Sequence, residues 1–488
     1  MTLTVADVIE ALSGLRRTEA QAMPITNVVI DSRQAQPGAM FVALAGEHTD
    51  GHYFVADALS RGARVALVQR GKVALLDGVS AQRLDVAHPE TPLTREDPLL
   101  ICVEDPLAAL QQLSAFWRLR AANPQLRVVG VTGSVGKTTT KELIAQVLAT
   151  RFRVLKSEGN YNNEIGVPLT LLKLRPTHER AVIEMGMHQL GEIASYCQWA
   201  RPHIGVVTMV APVHLSRLGS IERIAQAKSE LVQALPPAEV GGVAVLNEDD
   251  DRVRAMAALT RARVVTYGTA ETAQVRASDI ESFGLNGIAF TLHYDKRSLK
   301  MRLPLLGRHS VHTALRAAAV GLIEGMSLEE VAEAFFAPGE QLRLVMAKGP
   351  RGSLVLDDAY NASRESTLAA LNLLSEISEH GPRVAVLGDM FELGELERQA
   401  HEEVGCRAGS VADYFIGVGA RAAWMCRAAI ECGAKPERVF HVNTNEEALS
   451  LLQQLVTERC VILVKGSRGM KMEEIVAGLG ALAEAEGN

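Results

Sequence analysis

Short apolar runs alternate along most of the chain with longer segments whose apolar positions recur every three or four residues. That pattern predicts buried strands joined by amphipathic helices, as in a largely parallel sheet with helices on both faces. From about residue 100 to 335 the predicted strands are RVVGVTG, AVIEMG, HIGVVTMV, GGVAVLN and RVVTYG. A second series, SLVLDDAY, RVAVLGDM, DYFIGVG, RVFHV and CVILVKGS, predicts a separate Rossmann-like unit over 336–488. Residues 1–99 mix short strands (Asn27 to Ile30, Met40 to Leu44, Arg64 to Val68) with a helix, and end in a polar stretch, DVAHPETPLTREDP, that reads as a surface excursion or linker. The expectation is an α/β protein of three domains, divided at 1–99, 100–335 and 336–488.

Composition narrows the partners. A chain of 488 residues is too long for one ordinary core, and a net charge of −7 lacks the basic excess of a general nucleic-acid binder. The start, MTLTVADVIEALSGL, has no basic leader, and no segment reaches the roughly 20 apolar residues of a membrane span, so a cytoplasmic protein acting on small molecules is expected. Cys102, Cys197, Cys406, Cys426, Cys432 and Cys460 form no CxxC pair; neither a disulfide framework nor a zinc site is indicated, and small apolar filler is their expected role.

The chemistry is concentrated where apolar runs end. In VVGVTGSVGKTTTKE a strand breaks into glycines and resumes as a helix, so the backbone of Thr132, Gly133, Ser134, Val135 and Gly136, with Lys137, Thr138 and Thr139, would surround an anion at a helix N-terminus. The residue six before Lys137 is Val131, not glycine, which shortens the common P-loop spacing. Glu184 ends the run AVIEMG and His214 follows HIGVVTMVAPV; with Thr138 they offer two oxygen ligands and one nitrogen ligand for magnesium beside a nucleotide. Taken singly, Thr138 and Glu184 read equally as helix caps and His214 as a loop histidine. Lys228 falls on the apolar stripe of IERIAQAKSELVQAL; it either snorkels at the stripe's edge, the reading the stripe alone favours, or sits in a dry place as a neutral nucleophile.

Together these segments resemble the Mur ligase family over nearly the whole chain. TGSVGKTTTKE is similar to that family's short P-loop, and GNYNNEIGVPLTLL, IEMGM with GEI, and the PVHLxxLGSIExIAxAKxEL stretch are similar to its central signatures. LDDAYNAS, VLGDMFELGE and VKGSRGMKME resemble the branch that adds D-alanyl-D-alanine, and DSRQAQPGAMFVALAGEHTDGHYF resembles the UDP-sugar-binding opening. The resemblance implies an N-terminal UDP-binding domain, a central P-loop ATPase domain and a Rossmann-like C-terminal ligase domain. It implies ATP, two magnesium ions and a carbamate made from carbon dioxide on Lys228, which reverses the snorkelling reading. It further implies UDP-N-acetylmuramoyl-tripeptide and D-alanyl-D-alanine as substrates, peptidoglycan precursor synthesis as the outcome, and a monomer.

By the same resemblance Lys137 and the loop amides hold the β and γ phosphates, Thr138 and Glu184 one magnesium, and Glu184, His214 and carbamylated Lys228 the second. Arg343 reaches the γ phosphate, Asp358 lies near the ribose and His309 near the adenine, with Thr313 on the same helix. Ser32 and Arg33 meet the uridine nucleotide, Asn160 and Asn163 the muramoyl substrate, and Asn361 the substrate in the last domain. Ser310 and Thr313 stand where the family has asparagines, Ser363 and Arg364 replace its asparagine and proline, Leu342 replaces a glycine, and the segment from Gly71 to Pro98 is extra. Rivals are the diamino-acid-adding ligase, whose DNPR-type motif is missing, folylpolyglutamate synthetase, which lacks the DSR opening, and a silent nucleotide-binding scaffold.

Overall fold

The computed structural model describes residues 2–46, 49–94, 97–121, 123–337, 345–377, 381–480 and 482–483. Three sheets follow one another along the chain. The first is parallel, with strands in the order Val28–Val29, Met40–Val42, Val65–Gln69, Leu99–Val103 and Gln82–Asp85. The strand Leu99–Val103 is buried at every position and pairs within this first sheet, so the N-terminal unit runs past residue 99. The stretch from Gly71 to Pro98 contributes that sheet's edge strand, Gln82–Asp85, which ends as the polar run DVAHPETPLTREDP begins.

The central sheet has nine strands, and its functional middle is parallel: Val243–Asn247, Ile204–Val207, Arg127–Thr132, Arg180–Glu184 and Val154–Lys156 are neighbours in that order. Beyond Arg263–Gly268, the strands Val275–Ser282, Ile288–Tyr294 and Arg297–Leu303 form an antiparallel meander that the apolar pattern does not announce. The third sheet is parallel from Val439–Val442 through Tyr414–Val418, Arg383–Gly388 and Val461–Lys465 to Leu354–Asp358, with two antiparallel strands at its other edge.

The middle strands are buried at nearly every position because helices cover both faces, which explains their continuous apolar runs. Cys406 and Cys432 form a disulfide, correcting the expectation that all six cysteines are filler; Cys406 lies within the helix Glu397–Val411 and Cys432 caps the end of Ala422–Glu431, and the packing of these two helices brings them together. The other four cysteines are free and buried. Among the described residues no helix is long and apolar enough to cross a membrane.

Candidate active site

The carboxyl ends of the central and third sheets open onto one cavity of about 1670 Å³. In parallel α/β sheets this is the end where loops leave the strands and ligands bind. At the end of Arg127–Thr132 the chain turns at Gly133, whose φ is 144° and where a Cβ would stand 1.8 Å from the Thr208 hydroxyl oxygen. Gly136, also left-handed with φ 84°, then starts the helix Lys137–Ala149. First-turn amides of a helix have no partner within it, so this terminus is a cradle for an anion.

Ser134, Val135, Gly136, Lys137, Thr138 and Thr139 all line the cavity. Thr132 and Gly133 do not: the Thr132 hydroxyl donates to the Met185 carbonyl at 2.8 Å and braces the loop from below. The Lys137 ammonium donates to the Gly133 and Ser134 carbonyls at 2.8 and 3.3 Å, folded over its own loop.

Glu184 is 1% exposed at the end of its strand, with the Thr138 hydroxyl donating to Oε1 at 3.1 Å. Asn162 donates to the same oxygen at 2.8 Å, while Oε2 is buried without a hydrogen-bond partner and 3.8 Å from Lys141 Nζ. Among the described residues no group of three or more histidines, cysteines and acids is poised for a metal. A buried carboxylate oxygen that makes no hydrogen bond, at the long end of ion-pair distance from Lys141 and beside a threonine hydroxyl and an anion cradle, nevertheless fits magnesium, which takes few protein ligands and completes its shell with phosphate and water.

Lys228 also lines the cavity and is 2% exposed on the helix Ile221–Gln233, so it does not snorkel. Burial, with the Lys137 charge adding to it, holds its pKa well below the ordinary lysine value. His214, in a left-handed conformation with φ 57°, stands on the cavity wall with Nδ1 against the Glu392 carboxylate of the FELGE loop. Burial lowers the His214 pKa although Glu392 opposes the shift; burial conversely raises that of Glu392, but His214 and Arg217 outweigh it and leave it low.

The nucleoside candidates stand across the cavity. His309 precedes the helix Ser310–Ile323; it keeps solvent access through the cavity, yet enclosure pushes its pKa down to about 4 against the opposing Asp358 charge. Asp358 ends its strand and receives a 2.6 Å bond from the buried Lys465 ammonium, which also donates to the Asn361 carbonyl at 2.9 Å. Thr313 accepts from Arg316 at 2.8 Å, and Ser310 donates to the Leu306 carbonyl at 2.6 Å. Ser363 caps the helix Arg364–Glu376 and Arg364 opens it, a first position where proline is also favoured, so both departures keep a helix start.

Asn160, Asn163 and Asn361 line the same cavity, but Asn163 turns its oxygen back to the Gly166 amide at 2.9 Å. Asn162, Arg316, Glu392 and Lys465 are wall residues that the sequence reading did not single out; the first had a signal, since it lies in the quoted NYNN loop. Ser32 and Arg33 are not on this wall. Arg33 is exposed and pairs with Asp31 at 2.6 Å, and Ser32 is buried; neither lines the separate cavity of about 390 Å³ bounded by Val28 to Ile30, Gln34, Lys173 and Arg175. Arg343 and Leu342 lie outside the described residues.

Family models match in three segments: the Mur ligase family catalytic domain over 24–118, the Mur ligase middle domain over 131–321 and the Mur ligase glutamate ligase domain over 342–468. The chain is 34% identical to the UDP-N-acetylmuramoyl-tripeptide–D-alanyl-D-alanine ligase of Bacillus subtilis, covering 98% of each. It is 36% identical to the ligase of that name from Mycobacterium tuberculosis, covering 99% of this chain and 97% of the relative. Among solved structures it is similar to MurF of Acinetobacter baumannii, with 31% identity, a TM-score of 0.80 and coverage of 98% and 99%. It is also similar to MurF ligase of Thermotoga maritima in complex with ADP, with 25% identity, a TM-score of 0.73 and coverage of 93% and 96%.

Proposed function

This chain belongs to the Mur ligase family, and from that premise we infer that it is an ATP-dependent ligase joining D-alanyl-D-alanine to UDP-N-acetylmuramoyl-tripeptide. The product is the pentapeptide precursor of peptidoglycan, and the reaction forms an amide bond at the expense of ATP. The observation that carries the reading is a single cavity in which the P-loop cradle and buried Glu184 of the central sheet meet His309, Asp358, Asn361 and Lys465 around the third.

In the proposed mechanism the tripeptide's terminal carboxylate attacks the γ phosphorus, giving an acyl phosphate and ADP. The amine of the dipeptide then attacks the acyl carbon, phosphate leaves with the bonding pair, and the amine gives up a proton. A carboxylate lacks a usable leaving group, and phosphorylation provides one. The first step brings two anions together, so positioned positive charge contributes more than acid or base groups. Lys137, the first-turn amides and Arg343 are the groups assigned to the phosphates; Arg343 keeps that role by resemblance alone.

Thr138 and Glu184 would hold one magnesium, and Glu184, His214 and Lys228 the second; bound there, the ions neutralise charge on the transferring phosphoryl group. The lowered pKa of Lys228 favours the carbamate reading: the neutral form, made more accessible by burial, has a lone pair that can add to carbon dioxide, and loss of a proton leaves an anion in place of a cation. Glu392 engages Nδ1 of His214 and leaves Nε2 for a metal, the usual role of an acid behind a ligating imidazole. Ser32 and Arg33 are assigned to the uridine end, and Asn160 and Asn163 to the muramoyl chain. A monomer and a cytoplasmic site of action are carried over by resemblance alone; among the described residues no helix is long and apolar enough to cross a membrane.

The test is phosphate release from ATP, with UDP-muramoyl-tripeptide and D-alanyl-D-alanine in one assay and UDP-muramoyl-dipeptide and a diamino acid in another. Release is expected with D-alanyl-D-alanine. Release only with the diamino acid on a dipeptide precursor would transfer the chain to the neighbouring branch, and silence with every acceptor would overturn the reading.

A further inference from the structure

The helix Ser310–Ile323 carries one residue that neither core packing nor the assigned roles account for. Arg316 is 5% exposed in the middle of a buried face that is apolar apart from Thr313, yet it lines the cavity. Its guanidinium faces the P-loop: Nη2 and Nη1 lie 3.6 and 3.7 Å from where a Cβ on Gly136 would stand. One nitrogen donates to the Thr313 hydroxyl at 2.8 Å, the Tyr267 ring lies 5.7 Å away, and Nε is buried with no hydrogen-bond partner. Among the described residues no carboxylate is within ion-pair distance of it. A buried cation without a counter-charge is strongly unfavourable unless something else supplies the negative charge.

Two neighbours say what that is. On one side is the Gly136 turn, where the anion cradle begins; on the other, two turns back on the same helix, is His309, with Asp358 across from it. A group between a phosphate cradle and a nucleoside end faces the phosphates nearest the ribose. We propose that Arg316 is a nucleotide-binding residue whose guanidinium holds the α and β phosphates of ATP from the side of Gly136. Thr313, which occupies a position where the family has an asparagine, orients the guanidinium by accepting its hydrogen bond. The proposal rests on the cavity being the ATP site. Guanidinium suits it because its planar donor fork can engage phosphate oxygens while one nitrogen stays on Thr313.

The full-length chain and its Arg316→Gln and Arg316→Lys variants would be titrated with ADP and with adenosine in magnesium buffer, with circular dichroism checking the fold. Arg316→Gln is expected to weaken ADP by about 10- to 100-fold and leave adenosine unchanged. Arg316→Lys, which keeps the charge and loses the fork, is expected to fall between; it carries the test alone if the glutamine variant does not fold. In turnover, KM for ATP should rise more than kcat falls. Unchanged ADP affinity in the folded variants, or equal losses for ADP and adenosine, would overturn the proposal while leaving the ATP site intact. A wild-type chain that binds no ADP would remove the ATP reading and this proposal with it.

Discussion

The two ends of the central sheet both bury charge, and they treat it differently. At the amino ends of the strands, Glu324, with a side chain 1% exposed, meets Arg127 at 3.1 Å and also pairs with Arg180. Arg118 donates there to the Ala200 carbonyl at 2.9 Å. At the carboxyl ends, Arg316 has no acid beside it among the described residues, Lys228 is buried next to the charge of Lys137, and Glu184 meets Lys141 only at a longer 3.8 Å. Charge that is answered within the protein stabilises the fold, whereas charge left unanswered at a cavity is held for something that arrives. One sheet thus separates stability from chemistry by its direction alone.

The separation can be broken most severely at Lys137. Lys137→Ala should lower kcat roughly a thousand-fold, as loss of a group that stabilises developing charge does, while unfolding free energy changes by less than about 1 kcal/mol. A large stability loss in urea denaturation would mean that the loop, not the bound phosphate, is what the ammonium serves. The opposite pattern is expected at the other end. Glu324→Gln strips the charge that answers two arginines and should cost about 3 kcal/mol of stability in the same denaturation, with kcat of the folded fraction unchanged. Lys228→Ala should lower kcat by about a hundredfold and recover part of it with added acetate or formate. An unsupplemented variant of full activity would remove the carbamate, and with it the argument that this lysine is buried for function.

How much of this was legible follows the same division. The P-loop, Glu184 and the continuous apolar strands could be read because their determinants are local: a turn, a strand end, a run of β-branched residues. The meander over Val275–Leu303 was missed because its strands mix buried with half-buried or exposed positions and so present no continuous apolar run, and Gln82–Asp85 buries only Leu84 fully. In NYNN the sequence marks a polar loop but not which amide turns inward, and it is Asn162 that reaches Glu184. Arg316 and Lys228 both sit on apolar stripes, where a long cation reads as snorkelling until the neighbouring helix is known to close the way to water. Glu392 and Lys465 were out of reach for another reason: His214 is 178 residues from Glu392, and Asp358 is 107 from Lys465.

The mildest test lies at His203, at the amino ends beside Arg118, Arg127 and Arg180. Burial and then those three positive charges push its pKa down to about 4. Its Nδ1 accepts the Val128 amide at 3.2 Å, a bond that protonation of that nitrogen would remove. In the unfolded chain the ring titrates at an ordinary histidine value near ~6.5. Between the two values the unfolded state binds the extra proton, so the contribution to stability is complete above ~6.5 and is lost as pH falls toward 4. The slope is at most about 1.4 kcal/mol per pH unit for one proton. Subtracting the stability profile of His203→Gln from that of the wild type isolates this residue from other titrating groups, and the difference should fall through that window while kcat at neutral pH stays equal. A flat difference would mean that water reaches the ring, and that the amino end of the sheet is less dry than its paired arginines require.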